Sequence, residues 1–302
     1  MSIKMHHLRD LLAIVEKGSI RSAAKHLGVA QPALSRSIRE LEKDIGVPLF
    51  ERRAKGSFLT PMGELFARRA NAAFSELRRA REEIQQSQGD THGNVVACLS
   101  SVSHVALMPA IWKPFRQKYP HLQFTVIEGV YPMVETRLKD GTIDFYVGPA
   151  PESGLVPGLQ MEKLFDNTRI VLARKGHPLA RATSLAELMD ADWVTTSITA
   201  KAETEFSDLF LRHGLPPPRL AMQGESALTW ITALIGSDFL AISPRQWADW
   251  PVIANVLEQI HVKESLIGAP LVLMQRAAIP LTPAAEYLSN LIRRAAVQHA
   301  AQ

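Results

Sequence analysis

The stretch GSIRSAAKHLGVAQPALSRSIRELEKDIGVPLFERR, residues 18–53, has the pattern of two short helices joined by a three-residue turn. In the first helix, apolar residues fall at i, i+3, i+4 and i+7, with Ser19 as its N-cap and Gly28 as its left-handed stop. Pro32 lies in the first turn of the second helix, where a missing N–H removes no hydrogen bond. Gly46 follows the last apolar residue. The spacing predicts a helix-turn-helix.

The second helix of this pair has one apolar and one polar face. Its apolar stripe consists of Leu34, Ile38, Leu41 and Ile45. The opposite face carries Pro32, Ser35, Arg36, Arg39 and Lys43. A helix that packs by its apolar face on a second helix can insert such a polar, basic face into the major groove of DNA. The alternative is a solvated amphipathic helix.

A basic hairpin follows the helix-turn-helix. Residues 49–52 and 57–60 have the pattern of two short strands around a tight turn. The cations at or beside its tip are Arg52, Arg53 and Lys55. Next to a recognition helix, such a hairpin is a wing that contacts the DNA backbone or the adjacent minor groove. The alternative is a solvated basic turn.

A long helix is predicted from Thr60-Pro61, an N-cap followed by a proline at the first helical position, to about Gln88. Apolar residues recur along it at alternating spacings of four and three, which is the heptad pattern of a coiled coil. We call this row the seam: Phe66, Ala70, Ala73, Leu77, Ala80 and Ile84. The small N-terminal domain is too short to cover the seam, which predicts a homodimer joined through residues 61–88. The alternative is packing of the seam on the chain's own C-terminal domain.

After a polar linker at residues 87–93, apolar strand runs alternate with helical patterns. This alternation predicts an α/β domain with two mostly parallel sheets and helices on their faces. Pro114, inside the helix predicted at residues 102–118, indicates a kink or a break there. The strands are predicted at residues 95–99, 123–128, 143–148, 170–173, 193–196, 219–223, 239–242 and 271–274. The other helices are predicted at residues 5–17, 132–139, 185–189, 203–211 and 227–235 and after Pro283.

Composition places the chain among cytoplasmic proteins with more than one folded domain. With 302 residues, of which 46% are hydrophobic, it can build two cores. One cysteine, Cys98, excludes an intramolecular disulfide, the N-terminus lacks the apolar segment of a secretory signal, and no apolar run approaches the length of a membrane helix. Residues 1–90 hold 16 Lys and Arg against 11 Asp and Glu, whereas the remainder holds 18 against 19. The basic part is therefore the N-terminal one, which favours contact with phosphates.

The nucleophilic and metal-ligating residues of the sequence do not form the pattern of a catalytic site. Ser101, Ser103 and His104 lie close in sequence, but no glycine-flanked nucleophile elbow surrounds them. Cys98 lies in a strand run, as a core residue does, and the histidines lack metal-ligand spacing. We therefore expect no catalytic residue, no metal and no cofactor. A cytoplasmic solute-binding protein is the stronger rival, and an enzyme using residues 100–104 the weaker one.

Residues 1–90 closely resemble the N-terminal domain of LysR-type transcriptional regulators. The motif is the 18–53 string followed by LTPMG, residues 59–63. Weaker landmarks follow at RLKDGTIDFYVG, RKGHPLA and GSDFLAISP. The resemblance implies a multidomain protein: a winged helix-turn-helix at residues 1–60, a dimerising coiled-coil linker helix at 61–89, and an effector-binding domain at 90–302. The effector-binding domain has the two-lobed α/β fold of type 2 periplasmic binding proteins, in which crossing strands join the lobes. Lobe I comprises residues 90–164 plus 269–302, and lobe II comprises residues 165–268.

The resemblance also implies the function, a sequence-specific transcriptional regulator switched by a small molecule bound between the lobes. The implied DNA target is an inverted repeat in a promoter, and the implied assembly is a homotetramer built from two dimers. RNA polymerase is a further implied partner, and no contact with a membrane is implied. The implied DNA-binding residues are Ser19, Arg21, Gln31, Pro32, Ala33, Ser35, Arg36, Arg39, Arg52, Arg53 and Lys55. Of these, Gln31, Pro32, Ser35 and Arg36 face the groove.

For the effector, the sequence offers hydroxyls and backbone at the ends of strands. Ser100, Ser101 and Ser103 follow a buried strand and open a helix, where hydroxyls and free N–H groups can hold a carboxylate or sulfonate; helix capping alone would explain one of them. Open α/β sheets bind ligands at the carboxyl ends of their strands. By that rule the further candidates are Glu128, Gly129, Val130, Gly148, Pro149, Thr196, Ser197, Glu225 and Ser226. No arginine stands out as a carboxylate clamp, which favours hydroxyl and backbone recognition of a small organic acid.

Overall fold

The computed structural model describes residues 3–53, 56–131, 133–152, 154–196 and 202–300, without the side chains of residues 52, 53, 56, 57 and 196. Lys55 and Ser197, both predicted binding residues, lie outside the described residues, as do the side chains of Arg52, Arg53 and Thr196. The chain divides into two compact units. The first comprises Met1–Asp90 with Lys139–Thr142, and the second comprises Thr91–Leu138 with Ile143–Gln302.

The first unit begins with the three predicted helices, α1 (Met5–Lys17), α2 (Ile20–Leu27) and α3 (Gln31–Ile45). Each of them ends at a glycine in the left-handed region: Gly18, Gly28 and Gly46 have φ values of 71°, 67° and 85°. A side chain is strained in this conformation, so glycine is the residue that allows the chain to turn sharply there. The helices pack around a shared core with Leu11, Leu34 and Leu41 at its centre. The predicted helix-turn-helix is confirmed.

The predicted wing and long helix complete this unit. Strands β1 (Phe50–Arg53) and β2 (Gly56–Leu59) pair antiparallel. The helix α4 (Pro61–Ser87) begins at Thr60, whose side chain accepts a hydrogen bond from the Gly63 N–H at 2.9 Å. A Cβ atom at Gly63 would lie 2.0 Å from the Leu49 carbonyl oxygen. Glycine is therefore required where α4 passes over the chain that enters the wing.

The second unit contains parallel strands at one end of a larger sheet. Strand β3 (Asn94–Leu99) pairs in parallel with β4 (Gln123–Glu128) and with β5 (Phe145–Pro149). A separate two-stranded sheet pairs β7 (Trp193–Thr196) in parallel with β8 (Leu220–Gly224). In each sheet the parallel strands run in the same direction, so their carboxyl ends lie side by side along one edge of the sheet.

The prediction of two mostly parallel sheets is wrong. Two long strands, β6 (Leu159–Arg174) and β11 (Leu266–Arg276), pair antiparallel with one another and join β5, β3 and β4 in a mixed seven-stranded sheet. Two strands add to it through antiparallel pairing with β6: β9 (Ala241–Pro244) and β10 (Leu257–Ile260). Apolar runs revealed only the core-facing parts of β6 and β11, because polar and glycine residues interrupt each strand midway.

The helices of this unit are close to prediction. They are α5 (Ser101–Lys118), α6 (Glu135–Lys139), α7 (Ala202–Arg212), α8 (Ala227–Gly236) and α9 (Pro283–Ala300), with short 3₁₀ turns at Leu185–Leu188 and Arg245–Trp247. The predicted start of α6 at residue 132 is wrong, since a turn precedes Glu135. The helix α5 continues past Pro114, because buried Ile111 and Phe115 on either side hold it against the core. Among the described helices none is long and apolar enough to cross a membrane.

Four hydrophobic cores stabilise the second unit, two toward each end of the crossing strands. Phe165 of β6 and Leu271 of β11 belong to a core beneath α5 and α9. Val171 of β6 and Leu266 of β11 belong to a core beneath α7, and Ile170 to one beneath α8. The residues between them, 166–169 and 267–270, belong to none of these cores. The unit therefore has two lobes, and β6 and β11 run from one lobe to the other.

Candidate DNA-binding surface and effector site

The helix α3 presents the two faces that its sequence predicts. Leu34, Ile38 and Leu41 are buried against α1 and α2, so the opposite face is directed to solvent. Ser35 on that face is half-buried, and its remaining candidates are exposed: Gln31, Pro32, Ala33, Arg36 and Arg39. Because these residues occupy the first half of α3, the N-terminal half of the helix is the part available to a groove.

The other candidates of this surface have local roles as well. Ser19 caps α2, accepting a hydrogen bond from the Ser22 N–H at 3.1 Å, while Arg21 is exposed. Arg39 donates from Nε to the Ser35 carbonyl oxygen at 3.2 Å, which holds its guanidinium along α3. The backbone places Arg52 and Arg53 at the end of β1 beside the hairpin turn. The surface therefore combines exposed cations with residues that fix the start of α2.

Sequence reasoning missed Glu42, which positions the wing. Its Oε1 accepts hydrogen bonds from the backbone N–H groups of Leu49 at 2.8 Å and Phe50 at 3.1 Å. The wing strand β1 is thereby attached to the recognition helix one turn before that helix ends. The sequence carries no signal for this role, because Glu42 differs from the exposed Asp44 only in its half-exposed side chain, which is a property of the fold.

The seam on α4 is only partly covered by the chain itself. Ala70 is buried in the core of the first unit and Phe66 packs against it. Toward the C-terminal end, Leu77 is 54% exposed and Ile84 is 62% exposed. The first unit by itself therefore leaves Leu77 and Ile84 uncovered.

The first effector candidates lie where β3 leads into α5. Ser100 and Ser103 are buried, their hydroxyls lie 2.9 Å apart, and the Ser103 hydroxyl donates to the Val147 carbonyl oxygen at 2.9 Å. Ser100 is also the N-cap of α5. The Ser100 hydroxyl thus caps α5 and the Ser103 hydroxyl binds the backbone of β5, whereas Ser101 in the first turn is partly exposed. Ser101 is the serine of this group that remains accessible to a ligand.

The other candidates fall on two sheet edges, as the strand-end rule predicts. Leu99 is opposite Glu128 and Val147 in the parallel pairing, so Glu128, Gly129, Val130, Gly148 and Pro149 share the edge of Ser100. In the second lobe Thr196 is opposite Gly224, which places Glu225 and Ser226 beside the end of β7. Ser226 caps α8 and accepts a hydrogen bond from the Thr229 N–H at 3.2 Å.

The groups considered for catalysis have structural partners. The Nδ1 atom of His104 lies 2.9 Å from the Ser100 carbonyl oxygen. Cys98 is fully buried, and this burial raises the pKa of its thiol to about 12. A thiol with such a pKa stays protonated and unreactive at neutral pH. Within the described part of the chain, no group of His, Cys, Asp and Glu is arranged to hold a metal ion.

One arginine in the second unit was not singled out from the sequence. Arg169 lies on β6, between the cores of the two lobes, and is partly buried. Asn167, two residues earlier on the same face of the strand, is 2% exposed. The sequence signal was available in Asp166-Asn167-Thr168-Arg169, a polar stretch that interrupts the apolar pattern of a long strand.

Comparison with known proteins assigns both units. The family model described as "Bacterial regulatory helix-turn-helix protein, lysR family" matches residues 5–64, and the one described as "LysR substrate binding domain" matches residues 88–297. The chain belongs to the LysR family of transcriptional regulators. It is thus a DNA-binding regulator with an effector-binding domain, and the resemblance seen in the sequence is confirmed.

Relatives and solved structures of the LysR family cover nearly the whole chain. The chain is 27% identical to the HTH-type transcriptional regulator TdcA of Escherichia coli, over 87% of the chain and 84% of TdcA. It is 29% identical to the regulator GbpR of Rhizobium radiobacter, over 82% and 83%. Its fold is similar to the crystal structure of CbnR, with a TM-score of 0.70, 20% identity and coverage of 97% and 99%. The crystal structure of full-length CbnR in complex with its target DNA has a TM-score of 0.71 to this chain. These relatives are regulators rather than enzymes.

Proposed function

We propose that this LysR-family chain binds an inverted repeat in promoter DNA as a homodimer joined through α4, and that a small organic acid between the two lobes switches its activity. The observation that carries this proposal is the exposed N-terminal half of α3, where Arg36 stands beside Gln31 and Ser35. Arginine reads guanine through two hydrogen bonds, and glutamine reads adenine in the same way. These residues supply the sequence-dependent part of binding, and the wing supplies contacts to phosphates.

The dimer part of the proposal is supported by the open end of the seam. Leu77 and Ile84 are seven residues apart, as a coiled coil requires, and both are exposed along the helix. A parallel or antiparallel partner helix would bury them. Two recognition helices held by one dimer favour two half-sites related by symmetry and separated by about one helical turn of DNA or more. We further propose pairing of dimers into a homotetramer, contact with RNA polymerase and a cytoplasmic location.

The switch is proposed to act through the two lobes. Ser101, Gly129 and Gly148 line one sheet edge, while Thr196 and Ser226 line the edge of the second lobe. A ligand that contacts both edges favours one arrangement of the lobes over another. A difference in binding free energy of about 1 to 3 kcal/mol between two arrangements suffices to change DNA binding.

Capture of genomic DNA tests the proposal. Sheared DNA from the source organism is incubated with the purified full chain at about 150 mM salt, and the retained fragments are sequenced. We expect a few strongly enriched loci that share an inverted repeat, and loss of this enrichment with Arg36→Ala. Arg181→Ala, at an exposed arginine of the second unit, is the matched control and leaves the enrichment unchanged. Retention of DNA without any enriched sequence would contradict a sequence-specific regulator.

A further inference from the structure

The crossing strands carry an arginine whose buried Nε has no acceptor among the residues that the structure describes. The side-chain Nε of Arg169 is buried and makes no hydrogen bond with any described residue. The Oδ1 atom of Asn167 is buried and likewise has no partner among the described residues. Because an amide oxygen only accepts hydrogen bonds, the group of Asn167 that can donate to an anion is its Nδ2. Burial of polar groups without partners disfavours folding, so such groups are uncommon unless they serve a further purpose.

The two side chains converge over one glycine. Asn167 is opposite Gly268 in the pairing of β6 with β11, and Arg169 is opposite Leu266. A Cβ atom at Gly268 would lie 2.6 Å from the Arg169 Nε and 2.9 Å from the Asn167 Nδ2. Glycine therefore leaves the space that the guanidinium and the amide occupy. The result is a pair of nitrogen donors held side by side across the crossing strands.

These donors lie between the lobes rather than inside either of them. The neighbouring residues along β6, Phe165 and Ile170, belong to hydrophobic cores of different lobes, as do Leu266 and Leu271 along β11. At this position a ligand that touches the crossing strands is able to touch both lobes. A site on one lobe alone would not couple binding to the arrangement of the two.

The charges around Arg169 favour an anion. Burial lowers the pKa of Arg169 from its ordinary value, Arg212 on α7 lowers it further, and Glu205 on α7 opposes the shift. The guanidinium nonetheless remains charged at neutral pH, because its unperturbed pKa lies so far above 7. Arg212 is thus a second cation close enough to act on Arg169, beside the single carboxylate of Glu205. A planar guanidinium matches the two oxygens of a carboxylate.

We propose that Arg169, with Asn167 beside it over Gly268, binds the carboxylate of the effector. The inference rests on the proposed function, since it assigns a chemical class and two contact residues to the ligand of that switch. It replaces recognition by hydroxyls and backbone alone, which the sequence favoured. Gly268 is a positioning residue in this arrangement, because an alanine there displaces the guanidinium.

Thermal unfolding of the full chain tests the assignment. The probes are sodium propionate, benzoate and lactate, each compared with its uncharged primary amide at matched ionic strength in chloride. The variants are Arg169→Gln and Gly268→Ala, with Arg181→Gln, an exposed arginine of the same lobe, as the control. We expect at least one carboxylate to raise the melting temperature of the wild type above the value with its amide. Its apparent affinity falls at least tenfold in Arg169→Gln and Gly268→Ala and is unchanged in Arg181→Gln.

The ligand-free proteins supply a second readout. Since the buried Nε of Arg169 has no acceptor within the described residues, we expect Arg169→Gln to melt at or above the wild-type temperature. A melting temperature several degrees lower would show a structural arginine and overturn the proposal. Equal responses of wild type and Arg169→Gln to the carboxylates, or no response beyond that to the amides, would also overturn it. Genomic DNA capture with Arg169→Gln distinguishes failure of the carboxylate site from failure of the proposed function. If the carboxylate site fails, retained enrichment of specific loci still supports a sequence-specific regulator. If the wild type enriches no loci, the regulator itself is contradicted.

Discussion

The Glu42 carboxylate accepts a hydrogen bond from the Leu49 N–H at 2.8 Å, and this contact joins the recognition helix α3 to the first strand of the wing. The same oxygen accepts a second bond from Phe50, so one side chain satisfies two backbone donors of the connecting segment. The orientation of the wing relative to α3 therefore depends on a residue that does not face the DNA.

Replacing Glu42 tests this role. Glu42→Ala leaves two backbone donors without their charged acceptor, and we expect the free energy of unfolding to fall by about 1.5 to 3 kcal/mol. Hydrogen exchange of the backbone amides of α1, α2 and α3 in the full chain, at increasing urea concentration, measures the loss. Asp44→Ala, an exposed carboxylate two residues away, is the control and changes stability by less than about 0.5 kcal/mol. Equal effects of the two variants would show that Glu42 does not anchor the wing.

Arg36 is expected to contribute sequence specificity. Arg36→Ala removes a side chain able to form two hydrogen bonds with a base, and we expect specific binding to weaken by about 1 to 3 kcal/mol, with binding to unrelated DNA much less affected. Mobility-shift titrations on the captured operator and on a scrambled duplex measure both quantities. Unchanged affinity for the operator would remove Arg36 from the interface, and an equal loss on both duplexes would reassign it to the phosphates.

The open end of the seam is expected to form the dimer. Ile84→Lys places a charge at a position that a partner helix would bury, and we expect the protein to dissociate at micromolar concentration and to lose affinity for its operator. Sedimentation equilibrium measures the association constant. Gln85→Lys, which introduces the same charge one residue beyond Ile84 and away from the seam, is the control and leaves the dimer intact. If both variants sediment like the wild type, the dimer is formed by another surface.

Cys98 is expected to resist modification in the folded protein. Burial raises the pKa of its thiol to about 12, so very little thiolate is present at pH 8. Iodoacetamide, followed by mass spectrometry, should label the unfolded chain within minutes and leave the native chain unlabelled. Because the pKa is higher in the folded than in the unfolded state, the thiol's stabilising effect is present below the unfolded pKa of about 8.5 and diminishes as the pH rises toward 12. Rapid labelling of the native chain at pH 8 would contradict the buried position.

Local sequence patterns were sufficient to predict the helices of the first unit. Gly18, Gly28 and Gly46 end their helices where the sequence predicts, because each stop depends on the left-handed conformation of a single residue. The long helix could equally be predicted from its cap at Thr60. The role of Glu42 could not, since it depends on a strand that packs on α3 only after both have formed.

Long-range pairing limited the prediction of the second unit. The strands β6 and β11 are each a single element, but their polar midsections, including Arg169 and Gly268, divide the apolar pattern by which strands are recognised. Their antiparallel pairing joins residues about 100 positions apart, which periodicity does not report. The strand-end rule did place the candidate effector residues on common edges, and capping explains Ser100 as the sequence allowed, but the rule gave no sign that the Ser103 hydroxyl binds the Val147 carbonyl oxygen.

In the proposed function, two recognition helices of one dimer read two half-sites. The most direct test is a fluorescence anisotropy titration of the full chain with the captured operator and with the same duplex after one half-site has been scrambled. Because the second helix then makes only nonspecific contacts, we expect the dissociation constant to rise at least tenfold, and we expect scrambling of either half-site to have a similar effect. Equal affinity for the intact and the half-scrambled duplex would contradict the account.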